Sequence, residues 1–354
     1  MIETHHHSHL WPGVPLALGA AVLFGASAPL SKILLGVVDP WLLAGILYLG
    51  AGLGLAVVHW GRPVLGLANV ETPLQRPDMP WLAAVIVFGG MLGPLFLMLG
   101  LSQTSAASGS LLLNLEGLAT MAIAWIVFRE NVDRRLLLGA AAILAGAVLL
   151  SWTGQDLQLD TGGLFIAAAC LCWGIDNNVT RKLSSADPVQ IAVIKGLVAG
   201  TTNFAIALAL GAQLPGLNII AGGAVVGFLG IGVSLVMFML GLRHLGTART
   251  GAYFSLAPFI GAVLALLLFR DGLTIQLVAA GLLMGMGLWL HLSERHEHVH
   301  DHEALEHDHA HIHDDHHQHA HDGPVSEPHS HVHRHEPLRH KHPHYPDLHH
   351  RHGH

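Results

Sequence analysis

The sequence predicts an all-α integral membrane protein, with ten transmembrane helices in two inverted five-helix repeats and a disordered His-rich tail. Three observations predict it. The chain has 354 residues, of which 52% are hydrophobic and only 12% charged, with 41 glycines; soluble domains are more polar than this. The chain also contains itself twice. LGLSQTSAASGSLLLNLEGLATMAIAWIVFRE, Leu99 to Glu130, aligns without a gap on LGLRHLGTARTGAYFSLAPFIGAVLALLLFRD, Leu240 to Asp271. A looser match sets Phe24-Gly25 through Lys32 to Asp39-Pro40 against Trp173-Gly174 through Arg181 to Asp187-Pro188. A duplicated apolar unit of this kind is the architecture of many secondary transporters. Finally, acidic and basic residues balance up to about Leu292, so the net charge of −7 and most of the 30 histidines fall in the remainder.

Apolar runs of about 17 to 25 residues, enough to cross roughly 30 Å of hydrocarbon, occur in the following order. The first, 14–35, is too long and too interrupted by Pro29 for a cleaved signal and is kept as a span. Run 41–58 carries Gly45, Gly50, Gly52 and Gly54, a small face for close helix contact. Run 81–101 contains Pro94, and run 106–128 contains Glu116. Run 136–152 follows Arg134-Arg135 and completes the first repeat. Run 162–179 holds both cysteines and Asp176, and run 189–210 holds Lys195. Run 217–240 has the Gly223/Gly227 pair, run 248–269 has Pro258, and run 273–290 has the Gly281/Gly285 pair. The intramembrane prolines each free a carbonyl and favour a kink beside a cavity. The expected units are a His-containing N-terminus (1–12), a first repeat (13–152), a second repeat (153–292) and the tail (293–354).

Lys and Arg near span ends are retained on the cytoplasmic side. With the N-terminus inside, the inner loops hold Arg62, Arg76, Arg129, Arg134, Arg135, Arg181, Lys182, Arg243 and Arg249, and the outer loops little more than Lys32 and Arg270. Both termini are therefore expected in the cytoplasm of a multi-pass inner-membrane protein. Five spans per half then turn the second half upside down.

This pattern resembles the EamA family of the drug/metabolite transporter superfamily. The resemblance rests on the paired five-span repeats and on the run from Ser105 to Glu130, with an acid before a helix-breaking position and an aromatic-Arg-acid close. It covers roughly residues 14–290. The second half has Pro258 where the first has Gly117, and Ala257 where the first has Glu116. Members of the family move amino acids, sugars, nucleotide derivatives, drugs and other metabolites, so the resemblance implies transport without fixing the solute.

An ionisable group within a span costs a few kcal/mol or more unless paired or hydrated, which singles out Glu116, Asp176 and Lys195. The depths of Asp176 and Lys195 allow them to meet across adjacent helices, either as a structural bridge or as a solute-facing pair, with Lys195 matching an anionic group and Asp176 or Glu116 taking up a proton during the cycle. Burial disfavours a carboxylate and a nearby cation favours it, so Glu116, without a cation in reach, is the expected proton carrier. Trp173 can pack or stack on a ring-bearing solute. Asn177, Asn178, Asn114, Asn203 and Gln103 offer amide groups either to a polar solute or to neighbouring backbone. Cys170 and Cys172 lie on different helix faces, where packing is their expected role; Cys172 and Asp176 share a face, a faint hint of a soft-metal site. His59 and His244 fall at span ends and are expected at the surface.

The tail repeats His-x-His: His296, His298, His300, His302; His307, His309, His311, His313; His329, His331, His333, His335; then His340, His342 and His344. Neutral imidazoles with interleaved carboxylates suit Zn, Ni, Co or Cu, and so polar a segment is expected to be disordered. A smaller cluster, His5, His6, His7 and His9, lies at the other end. No cofactor is required, nucleic acid is not an expected partner, and no nucleotide-binding glycine loop or positioned nucleophile points to an enzyme. The leading expectation is a secondary transporter, and an exporter, of a small polar metabolite. A transition-metal exporter and a membrane-anchored metal sensor or store are the alternatives.

Overall fold

The computed structural model describes residues 12–64, 74–128, 134–152, 160–183, 186–245, 247–270 and 272–293, and the backbone of four strands in the tail. The first half consists of α1 (Gly13–Leu34), α2 (Pro40–Val64), α3 (Arg76–Gln103), α4 (Ala106–Phe128) and α5 (Arg134–Ser151). The second consists of α6 (Thr161–Thr180), α7 (Pro188–Ala209), α8 (Leu217–Gly241), α9 (Arg249–Phe269) and α10 (Ile275–Leu292). Among the described residues, 9 helices are long and apolar enough to cross a membrane. α6 is not among them: its 20 residues end in Trp173-Gly174-Ile175-Asp176-Asn177-Asn178, which lowers its mean hydropathy.

Helix starts follow local chemistry that both halves repeat. Asp39 Oδ1 accepts the N–H groups of Trp41 and Leu42 at 2.9 and 3.2 Å, and Asp187 Oδ1 accepts that of Val189 at 2.8 Å. Each aspartate precedes a proline that needs no amide partner in the first turn. Ser105 and Thr274 cap α4 and α10 by accepting from Ser108 and Leu277, both at 3.1 Å. Interruptions also recur at matching positions. α3 and α8 contain π-helical turns at Ile86–Leu92 and Phe228–Val233. α4 breaks at Leu113 and Asn114, and α9 at Ser255 and Leu256. The backbone groups released at the breaks are met locally: Asn114 Nδ2 donates to Leu111 O at 2.8 Å and Ser255 Oγ to Gly251 O at 2.7 Å. Pro94 and Pro258 sit in the first turn after a π-turn and a break, where the chain restarts its helix.

Packing is two-fold related. α1 lies on α8 and α9, and its counterpart α6 lies on α3 and α4; α2/α7, α4/α9 and α5/α10 pair across the relation. Counterpart helices run antiparallel, because Gly45 faces Phe204 while Gly52 faces Gly196, and Gly139 faces Gly287 while Gly146 faces Ala280. The halves are thus inverted. The close approach needs glycine: a Cβ on Gly196 would lie 2.7 Å from Gly52 Cα, and one on Gly139 would lie 2.8 Å from Gly287 O. Gly281 and Gly285 depart from their expected role, since a Cβ there meets only ordinary contacts at 3.7 to 4.0 Å; Gly287 makes the close contact instead. Polar clasps close both ends of the α5/α10 pair, Gln276 Nε2 donating to Trp152 O at 3.0 Å and His291 Nε2 lying 3.0 Å from Leu136 O.

Four stretches of the tail backbone are described as strands. Strands β1 (His296–His302) and β4 (Leu338–His344) pair antiparallel, as do β2 (Leu305–His311) and β3 (His329–His335). Within the ladders His298 lies opposite His342 and His309 opposite His331. A His-x-His pattern has the period of a strand. His313 and the N-terminal cluster lie outside the described residues.

The antiparallel pairing is checkable in a background without Cys170 and Cys172. Gly139→Cys and Gly287→Cys should cross-link on mild oxidation, measured by protection from maleimide-PEG, whereas Gly139→Cys and Ala280→Cys should not. The reverse pattern would mean parallel helices.

Candidate functional site

The site is assembled from both halves: α2, α3 and α4 of the first and α6 and α7 of the second. At its centre Lys195 Nζ donates to Asp176 Oδ2 at 2.5 Å, with side-chain exposures of 18% and 9%. Asp176 Oδ1 also accepts from Thr180 Oγ1, one turn on, at 3.2 Å. The pair lies directly on the π-turn of α3. A Cβ on Gly89 would overlap Asp176 Oδ2 and would also crowd Lys195 Nζ at 2.5 Å, and one on Gly90 would lie 3.2 Å from Lys195 Cγ. The ion pair therefore occupies space that only glycine leaves open.

A π-turn leaves carbonyls without their usual intrahelical partners, and here side chains from three other helices take them up. Tyr48 Oη donates to Gly89 O at 2.8 Å and Trp173 Nε1 donates to the same oxygen at 3.2 Å. Asn203 Nδ2 donates to Met91 O at 3.2 Å while its Oδ1 accepts from Trp41 Nε1 at 3.4 Å. The Trp173 indole lies over Gly93, where a Cβ would come within 2.6 Å of Nε1.

The remaining predicted residues separate into two groups. Glu116, in the turn after the α4 break, accepts from Asn177 Nδ2 at 3.1 Å, and the same amide donates to Thr120 Oγ1 at 3.2 Å. Asn177 is exposed and Glu116 half-buried, so this polar face stays reachable beside the ion pair. Asn178 turns the other way. It is buried and donates to Thr120 O at 3.0 Å and Gly174 O at 2.8 Å, fastening α6 to α4. Gln103 bonds back to Leu99 O. Asp176, the partner expected for a soft-metal site with Cys172, is engaged by Lys195 and Thr180, and among the described residues no group of three His, Cys, Asp or Glu is placed to hold a metal. His59 also departs from expectation: its side chain is only 15% exposed and Nδ1 lies 3.7 Å from Asp187 Oδ2, between the end of α2 and the start of α7.

Sequence reasoning missed Tyr48 and Gly89. A tyrosine inside an apolar run signals a buried hydroxyl that needs an acceptor, and the Gly89-Gly90 doublet ahead of Gly93-Pro94 signals an irregular helix under close approach.

The sequence profile of the EamA-like transporter family matches residues 11–152 and again residues 160–293. The chain belongs to the EamA-like transporter family. An uncharacterized transporter of Methanothermobacter thermautotrophicus is 28% identical over 300 residues, covering 80% of this chain and 87% of that protein. The uncharacterized transporter YyaM of Bacillus subtilis is 22% identical over 262 residues, covering 71% and 84%. A probable amino-acid metabolite efflux pump of Salmonella typhimurium is 26% identical over 179 residues, covering 49% of this chain and 54% of its own length. A solved protein structure with 18% identity shares the fold, with a TM-score of 0.58 over 79% of this chain and 96% of its own. This EamA-like chain is thus a multi-span membrane protein from a family of transporters.

The seat of the ion pair is testable by melting purified protein in detergent. Gly89→Ala should lower stability by about 1–3 kcal/mol, the usual cost of overpacking, and Gly281→Ala should leave it unchanged. Equal melting of the two variants would show that the pair does not rest on Gly89.

Proposed function

We propose that this protein is a secondary active transporter that exports a small polar metabolite by alternating access, the two inverted repeats rocking about the site between them. The observation that carries the reading is the state of Lys195. Its ammonium has three donors, and among the described residues one hydrogen bond from it is found, to Asp176. A partly exposed cation with donors to spare, next to the open Asn177 and Glu116, suits a solute bearing an anionic group. The name of the Salmonella relative, an amino-acid metabolite efflux pump, supports a metabolite as cargo.

In this reading α6 is the tenth span despite its polarity, because its polar residues face α3, α4 and α7 rather than lipid. The termini lie in the cytoplasm of a cell whose inner membrane holds the protein, as the distribution of Arg and Lys favours. The tail binds Zn, Ni, Co or Cu through its histidines and stands beside the transport cycle as a metal feeder, regulator or buffer. A metal cargo is disfavoured, since Lys195 would repel a cation at the site.

Reconstituted protein should carry one or more members of a panel of amino acids and their derivatives. Lys195→Met should reduce that flux at least tenfold while the protein stays folded in the membrane, and removal of residues 293–354 should leave it within about twofold. Normal flux by Lys195→Met would return the pair to a purely structural role. Transport of Zn or Ni instead of any metabolite would favour the metal-exporter reading.

A further inference from the structure

The breaks in α4 and α9 leave each helix in two pieces, and the inverted repeat makes the pieces equivalent in pairs. At the end of the bundle where α1 finishes, the first piece of α4 packs on the second piece of α9. A Cβ on Gly261 would lie 2.6 Å from Gly25 O and 3.0 Å from Ser110 Oγ, so α1, α4 and α9 meet there at backbone distance. Ser110 is only 1% exposed. Lys32 of α1 reaches over the same end to Thr104 O, at 3.0 Å, just ahead of α4. This junction is shut.

At the other end the equivalent residues are Gly174 for Gly25, Gly251 for Ser110 and Thr120 for Gly261. The second piece of α4 lies on α6, a Cβ on Gly174 falling 3.0 Å from Thr120 N, while the first piece of α9 lies on α1 and α8. Among the described residues a Cβ on Gly251 would meet no atom within 4 Å, and neither would one on Gly117 of α4. This junction is open.

The two junctions nevertheless carry the same complementarity. To each, α4 brings a small hydroxyl side chain, Ser110 or Thr120, and α9 brings a glycine, Gly261 or Gly251. One pair is engaged and the other is not, so one structure holds both states of a single contact. We propose that Gly251 is the gate of this protein, an inference that rests on the transport reading above: in the alternate form it docks on Thr120 and shuts the end that is now open, while Ser110 parts from Gly261.

The exchange has a physical basis. Parting Ser110 from Gly261 gives up close packing that only the Thr120 contact with Gly251 replaces, so closure at one end is what lets the other open. The shut junction is itself poised to release, because the Ser110 hydroxyl is buried there without a hydrogen-bond partner among the described residues and regains water when the junction opens. Closure also falls where it matters to the solute. Thr120 Oγ1 accepts from Asn177 Nδ2 at 3.2 Å, and the same amide donates to Glu116. Gly251 docked on Thr120 covers that polar face, the way in to Lys195.

Two measurements on purified full-length protein without Cys170 and Cys172 test the gate, and neither needs flux, so their failure is separate from a failure of the transport reading. Thr120→Cys with Gly251→Cys should form a disulfide on mild oxidation, read by protection from maleimide-PEG, as molecules visit the docked form. Exhaustive oxidation without a cross-link would overturn the proposal. Gly251→Leu, whose side chain enters open space in the present form, should leave the melting temperature unchanged and slow maleimide labelling of Ser110→Cys at least tenfold; Gly251→Val serves if the leucine variant does not fold. An unchanged labelling rate would equally overturn it, as would the same slowing by Gly61→Leu, a site just as open at the far end of α2.

Discussion

Two opposite charges inside a membrane protein, resting on a glycine, hold this structure's functional part together. The Asp176–Lys195 pair fits only because Gly89 has no side chain. Gly89 can present that bare surface because α3 is wound as a π-turn, and the π-turn persists because Tyr48, Trp173 and Asn203 take its released carbonyls. Those donors come from α2, α6 and α7. The charges lie on α6 and α7 of one repeat and their seat on α3 of the other, so the pair forms only where the inverted halves meet.

The inverted repeat makes the departures from symmetry informative. Gly93 of α3 corresponds to Ser234 of α8. Ser234 Oγ donates to Gly230 O at 2.6 Å, so the π-turn of the second half is closed by its own helix. With glycine at the matching position, the first half leaves room for the Trp173 indole, and its π-turn is closed by other helices. Likewise Phe24, the counterpart of Trp173, joins an aromatic group with Phe254 at 5.3 Å, and Phe254 lies 4.8 Å from Phe238. One side of the two-fold relation thus carries the ion pair and the other an aromatic group. A duplicated scaffold has kept its packing while its chemistry has concentrated on one side.

Much of this was legible in the sequence because the bilayer penalises exceptions so heavily. Repeats, helices and the meeting of Asp176 with Lys195 follow from hydropathy and from the cost of intramembrane charge. What stayed hidden lies inside apolar runs, where packing rather than composition decides. Tyr48 and Gly89 matter through contacts with helices far along the chain, and neither alters the hydrophobic pattern. Gly281 and Gly285 have the spacing of a contact face yet make no close contact, because spacing does not say which face meets a neighbour. His59, expected at a surface, lies beside the aspartate that caps α7, a placement set by how tightly α2 and α7 pack. In the tail the pattern was visible but the pairing was not, since which strand meets which is a long-range matter.

The most direct measurement of the account is the reach of the site from each side of the membrane. Asn177→Cys, in a background without Cys170 and Cys172, places a thiol beside the Asp176–Lys195 pair. Membrane-impermeant thiol reagent applied in turn to each compartment of oriented vesicles should label it from both sides, at rates that shift in opposite directions when a carried solute is added. Labelling from one side alone, whatever the solute, would contradict a site that alternates between compartments.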